Sequence, residues 1–145
     1  MSRCATVPIG LALVAFAAAG LGAEPSPESC LSYEPDTISI SGKLERRTYP
    51  GRPNYESVAA GDEPEVQFYV VLEVPICTKV KEGQRFSVAL TGVQLVQLNL
   101  TPDQYKQLSV HLGKKVALTG RMYEGQSGHH HALVVMYLEK LANVG

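Results

Sequence analysis

Three consecutive histidines, His129, His130 and His131, are the side chains in this sequence best suited to chemistry. Imidazole nitrogens ligate zinc and copper, and histidine titrates near neutral pH. Side chains alternate sides along an extended segment, so only His129 and His131 can share one metal ion. A structural zinc site usually has four ligands, and Asp62 is a candidate third. The run therefore indicates a zinc or copper site, a pH-responsive surface, or simply the start of a strand.

A second candidate site is a loop rich in Tyr, Pro and Gly, residues 49–62. Tyr rings can stack on a sugar or on a partner's side chain, and an Arg guanidinium can form paired hydrogen bonds with a carboxylate. The alternative is a loop that packs its own Tyr and Pro residues over the domain. The candidate residues for binding a ligand or partner, taken with the histidine turn 128–131, are Tyr49, Arg52, Asn54, Tyr55, Asp62 and His130.

The sequence offers little that points to catalysis. A nucleophilic serine in a strand-to-helix elbow is not recognisable. Asp36, Asp62 and Asp103 are scattered, and none is spaced to pair locally with a second acid. Residues distant in sequence can still meet in a fold. We nevertheless expect a protein that is not an enzyme and needs no cofactor, with zinc or copper as the alternative.

The beginning of the chain reads as a secretory signal peptide, residues 1–23. Arg3 provides the positive charge, an uncharged apolar stretch follows, and small residues end at Ala23. The apolar run is short for a transmembrane anchor, which needs about 20 residues. We expect a flexible Pro-rich lead-in at residues 24–29 and a single domain at residues 30–145. The location would be periplasmic or secreted, without membrane insertion after cleavage.

Cysteine usage agrees with export. Cys4 would leave with the signal peptide, so Cys30 and Cys77 remain. An even pair of cysteines in an exported chain usually forms a disulfide. Two free buried thiols are the alternative, and a metal site on this pair is less favoured.

The charge balance limits the kind of partner. The full chain of 145 residues has a formal net charge of −1, and loss of Arg3 makes it one unit more negative. Nucleic acids and anionic membranes select basic surfaces. We therefore expect no nucleic-acid partner.

The pattern of the remaining chain predicts a mainly β domain. Alternating apolar residues predict strands around residues 38–44, 66–74, 86–98, 116–122 and 132–141, the last buried on both faces. Thr101, Pro102 and Gln104 predict a capped helix that ends at Gly113. Five strands with a helix between the third and fourth indicate a small OB-like Greek-key barrel. In such barrels the loop 49–62 and the turn 128–131 flank one face.

Several segments together carry a resemblance to a known family: residues 30–35, 49–57, 61–62, 75–77, 93–95, 113–116 and 127–131. They resemble the family known as domain of unknown function 4431. The resemblance implies an exported bacterial domain in which this Cys pair and this Tyr-Pro-Gly loop recur. Family members resemble segments attached to exported proteins similar to lysozyme inhibitors, and the resemblance implies no catalytic residue.

These observations favour an exported, non-catalytic binding module of the bacterial envelope. Its partner would be an envelope protein or a glycan, and inhibition of a wall-degrading enzyme is one version. The alternative is a periplasmic metal-binding protein that uses His129 and His131.

Overall fold

The computed structural model describes residues 29–84 and 87–144. The predicted signal peptide, residues 1–23, and residues 24–28 of the lead-in lie outside the described residues. A turn of 3-10 helix, Val58–Ala60, lies in the long loop after the second strand. The strands and the helix are β1 (Leu31–Ser32), β2 (Ile38–Pro50), β3 (Pro64–Ile76), β4 (Thr78–Lys79), β5 (Val93–Asn99), α1 (Pro102–Ser109), β6 (Lys115–Glu124) and β7 (Val134–Val144).

Five of the strands form a closed barrel in the order β2-β3-β5-β7-β6. Neighbouring strands are antiparallel except β5 and β7, which run parallel. The helix α1 lies between the third and fourth barrel strands along the chain. The prediction of a mainly β, five-stranded OB-like barrel with one helix is therefore confirmed.

The barrel interior is filled by apolar side chains that alternate along the strands. In β2, Ile40 and Leu44 are buried, whereas the intervening Ser41 and Lys43 are exposed. In β7, the first three residues, including Val135, are all buried, and Tyr137 begins the alternation with exposed positions. The prediction of a last strand buried on both faces therefore holds only for its beginning.

The helix begins as the sequence predicts. The Thr101 hydroxyl accepts a hydrogen bond from the Gln104 backbone, and the Gln104 side chain accepts one from the Thr101 backbone. Leu108 is fully buried in the core. The helix ends at Ser109, four residues before the predicted stop, because turns occupy the stretch up to Gly113, which has a positive φ of 79°. Within the described part of the chain, no helix has the length and apolar character to cross a membrane.

The third barrel strand begins later than predicted. The alternation at residues 86–90 predicts a strand, but residues 87–92 form none, and β5 starts at Val93. Leu90 is held by Thr78 instead: the Thr78 backbone N–H donates to the Leu90 carbonyl (2.8 Å), and the Leu90 N–H donates to the Thr78 hydroxyl (2.9 Å). Gly92, with φ at 67°, then turns the chain into β5. Phe86 lies outside the described residues.

The predicted disulfide joins Cys30 and Cys77 across a sequence separation of 47 residues. Beside it, β1 and β4 form a parallel pair in which Leu31 lies opposite Thr78. This pair is too short to produce any periodicity, so no pattern in the sequence predicts it. The disulfide therefore fastens the start of the described domain to the chain that follows β3.

Two glycines allow the barrel strands to approach each other closely. A Cβ atom at Gly42 would lie 2.2 Å from the carbonyl oxygen of Val71 in β3. A Cβ atom at Gly120 would lie 2.1 Å from the carbonyl oxygen of Tyr137 in β7. Real Cβ atoms do not approach backbone that closely, so these strands bend at positions that exclude a side chain.

We expect Gly120→Ala to lower the free energy of unfolding by about 2–3 kcal/mol, because the added methyl group displaces strand β7. The matched control is Gly128→Ala, where nothing lies within 4 Å of the added atom; its effect should stay within about 0.5 kcal/mol. Urea unfolding measures both. Equal effects of the two substitutions would contradict the role assigned to Gly120.

We expect reduction of the Cys30–Cys77 disulfide to lower the free energy of unfolding by about 4 kcal/mol, because the reduced unfolded chain regains the entropy of a long loop. Urea unfolding with and without reductant measures the change. Thiol titration of the denatured, unreduced full chain should detect Cys4 alone among the three cysteines. Three reactive thiols would refute the disulfide.

Candidate functional site

The loop of residues 51–63 and the turn of residues 125–133 meet at one edge of the barrel. The rings of Tyr49 and His131 stack with centroids 3.8 Å apart and an interplanar angle of 2°. The Tyr55 ring meets the His129 ring edge to face, with centroids 5.6 Å apart. The predicted proximity of the two segments is therefore observed: Tyr55 in the loop contacts His129, and Tyr49, which was predicted in the loop but lies at the end of β2, contacts His131.

Asp62 organises the loop from within. Its carboxylate accepts hydrogen bonds from the backbone N–H groups of Asn54 (2.9 Å), Glu56 (2.8 Å) and Ser57 (2.8 Å). It also accepts one from the Asn54 side-chain amide at 3.2 Å. The backbone donors of Ser57, Asn54 and Glu56 lower the pKa of Asp62. Asp62 is buried, so the structure places this predicted ligand residue inside the loop, with Asn54 turned towards it.

Tyr55, in contrast, is directed outward on a fixed backbone. It is 39% exposed and adopts a positive φ of 60°. A bulky residue rarely adopts this conformation, which persists only where the surroundings impose it. Here the Asp62 carboxylate accepts hydrogen bonds from the backbone N–H groups of Asn54 and Glu56, which fixes the chain on both sides of Tyr55. Arg52 is also exposed, so the loop presents an aromatic ring and a guanidinium to solvent.

The three histidines have three different environments. The Nδ1 atom of His129 lies 2.9 Å from the Glu65 carboxylate. The Nδ1 atom of His130 accepts hydrogen bonds from the backbone N–H groups of Gln126 (3.0 Å) and Ser127 (3.2 Å). Burial lowers the pKa of His130, and the neighbouring His129 and His131 lower it further. His130 is therefore held as a neutral acceptor that closes the turn.

Among the described residues, none serves as a third ligand for a zinc or copper ion beside His129 and His131. His129 is engaged with Glu65 and His131 is stacked on Tyr49. Asp62 accepts four hydrogen bonds within its own loop. Across residues 29–84 and 87–144, no group of three or more His, Cys, Asp or Glu side chains is placed to hold a metal ion.

The sheet face where OB-folds bind their ligands is covered by this protein's own turn. The Gln97 side-chain amide donates to the His129 carbonyl at 2.8 Å, and its oxygen accepts from the His131 N–H at 2.7 Å. Tyr69 is fully buried, and the Arg47 guanidinium lies 5.1 Å from the centre of its ring. Tyr69 is therefore a packing contact, and its ring is not open to a ligand.

Glu65 and Gln97 are the residues of this site that the sequence analysis missed. Gln97 interrupts an apolar run in β5, and a polar residue at a buried strand position needs a partner. That interruption is the one available signal. Its partners lie 32 and 34 residues away in sequence, so the pattern does not identify them.

We expect Asp62→Ala to speed amide hydrogen exchange at Asn54, Glu56 and Ser57, because the three N–H groups lose their common acceptor. Asp103→Ala is the control, since that carboxylate is 94% exposed on the helix. In the wild type, protection should be complete above the unfolded pKa of about 4 and be lost as the pH falls through the lower folded pKa of Asp62. Unchanged exchange in Asp62→Ala would contradict the role of Asp62.

Comparison with known families gives a match in the second half of the chain. The family model described as Domain of unknown function (DUF4431) matches residues 95–142, which run from β5 through the helix and β6 into β7 and include the three histidines. No curated protein matches the sequence. Residues 95–142 are therefore similar to the domain of unknown function 4431 family, which is the family that the sequence resembles.

Proposed function

We propose that this protein is an exported, non-catalytic binding module of the bacterial envelope, which holds a protein or glycan with the loop 51–63 and the turn 128–131. The observation that carries the proposal is Tyr55. Its ring is exposed, its φ is strained, and its backbone is fixed by Asp62. A residue fixed in this way loses little conformational entropy on binding, which is the advantage of a pre-organised contact.

The composition of the loop favours a protein partner over a glycan. Tyr and Arg dominate the energetics of protein–protein interfaces, and the loop exposes Tyr55 and Arg52. Val58, also in the loop, is 45% exposed and adds apolar surface. A rigid loop with these side chains suits insertion into the cleft of another protein, and a wall-degrading enzyme is the partner class that the family likeness suggests.

Export is supported by two features of the chain. The Cys30–Cys77 disulfide is of a kind that persists in oxidising compartments. The sequence of residues 1–23 follows the signal-peptide pattern. Both fit a periplasmic or secreted location.

The proposal predicts a partner contact at the loop. A photoreactive amino acid replacing Val58, in cells of the native host, should form a discrete cross-linked product. Adding Tyr55→Ala or Arg52→Ala should abolish that product, since each change removes an anchor worth about 2 kcal/mol, or about thirtyfold in affinity. Immunoblotting of cell envelopes, followed by mass spectrometry of the product, measures the result.

The control places the same photoreactive residue at Val110, which is 67% exposed beyond the helix; it should give no such product. Co-sedimentation with purified cell-wall sacculi, lost in Tyr55→Ala, would identify the partner as a glycan. If neither Tyr55→Ala nor Arg52→Ala changes the yield of cross-linked product or the amount of protein that sediments with sacculi, the loop is not the binding site.

A further inference from the structure

A polar groove lies on the outer surface, formed by two cavities that share Asn99 and Leu100. One has a volume of about 260 Å³ and is lined in part by Glu65 and Gln67. The other has a volume of about 410 Å³ and is lined in part by Glu34, Arg121 and Tyr137. We call these two cavities together the Asn99 groove. We propose that the Asn99 groove binds a neutral oligosaccharide.

An exposed aromatic ring gives the groove a platform for a sugar. Tyr137 is 41% exposed, and its ring stacks on that of Tyr123 with centroids 4.4 Å apart and an interplanar angle of 26°. One face of Tyr137 is therefore occupied, which fixes the ring and leaves the other face to solvent. Amphipathic rings of this kind suit ligands that have an apolar face and a polar edge, as a pyranose has.

The hydrogen-bonding groups around Tyr137 match hydroxyl groups, which both donate and accept. The Asn99 amide nitrogen donates to the Tyr123 hydroxyl at 2.8 Å, so its carbonyl oxygen remains to accept. The Nε atom of Arg121 donates to Glu139 at 2.8 Å, so its terminal nitrogens remain to donate. Glu34 is exposed and adds a carboxylate acceptor.

The charges of the groove favour a neutral ligand. Glu34 and Glu65 bring two carboxylates into the lining, but Glu65 is paired with His129 and the guanidinium of Arg121 is paired with Glu139. Phosphate or sulfate groups require unpaired cations. A polyanion would therefore be repelled, whereas a neutral sugar chain meets fixed amide, carboxylate and guanidinium groups along two adjoining cavities.

This inference goes beyond the proposed function, because the Asn99 groove shares no residue with the loop 51–63, although His129 and His130 of the turn 128–131 line one of its cavities. The groove can bind a sugar even if the loop binds no partner, and the loop can bind a partner even if the groove binds no sugar. The experiments separate the two: Tyr55→Ala should leave sugar binding unchanged, and Tyr137→Ala should leave the cross-link from position 58 unchanged.

The test is a two-dimensional NMR titration of the protein with three probes: the trisaccharide of N-acetylglucosamine, cellotriose, and a sulfated heparin hexasaccharide. A neutral trisaccharide should shift the amide signals of Asn99, Arg121 and Tyr137. Tyr137→Ala should weaken its affinity by about tenfold, and Tyr137→Phe, which keeps the ring face, by no more than about twofold. Val110→Ala, remote from the groove, should bind as the wild type does.

Three results would overturn the proposal. The first is that neither neutral trisaccharide causes shifts at millimolar concentration. The second is that the shifts map away from the Asn99 groove or arise only with heparin. The third is that Tyr137→Ala binds as the wild type does. If Tyr137→Ala fails to fold, Asn99→Ala and Arg121→Gln replace it, and unchanged affinity in both would equally refute the groove.

Discussion

Close backbone contact at two glycines determines how the barrel closes. Strand β2 pairs with β6 over Ile38 to Lys43 and with β3 from Gly42 onward, so Gly42 is paired on both of its sides. The backbone of β3 lies where a Cβ atom of Gly42 would be, and β7 lies likewise at Gly120. Strands without side chains at these positions can bend enough to close a ring of five. The loop after β2 and the turn before β7 meet on the outside of this barrel, where the ring of Tyr49 at the end of β2 stacks on that of His131.

That juxtaposition explains why the binding surface differs from the usual one of the fold. Once the turn reaches the outer face of β3 and β5, Tyr49 stacks on His131 and Gln97 ties down the turn backbone. The covered face buries Tyr69 completely. Exposed binding groups are left at the loop, around Tyr55, and in the Asn99 groove. The histidine turn also supports the loop beside it, since His130 accepts backbone hydrogen bonds and His129 pairs with Glu65.

Local patterns allowed the fold to be predicted, and long-range contacts account for what was missed. The capping box at Thr101 and Gln104 is complete within four residues, so the sequence alone identifies the helix start. At residues 86–90 the alternation is equally regular, yet the chain there is tied to Thr78 and forms no described strand. Asp62 was predicted to bind a ligand because the backbone N–H groups that donate hydrogen bonds to it come close to it only when the loop folds.

Glu65 connects the two surfaces that we assign to binding. Its carboxylate lines the Asn99 groove and also holds His129, whose ring contacts Tyr55 in the loop. Burial opposes ionisation of Glu65, but hydrogen bonds from His129 and Gln67 outweigh it, and the pKa of Glu65 is lowered. The contact is therefore present above the usual pKa of a glutamate and is lost as the pH falls through the lowered value.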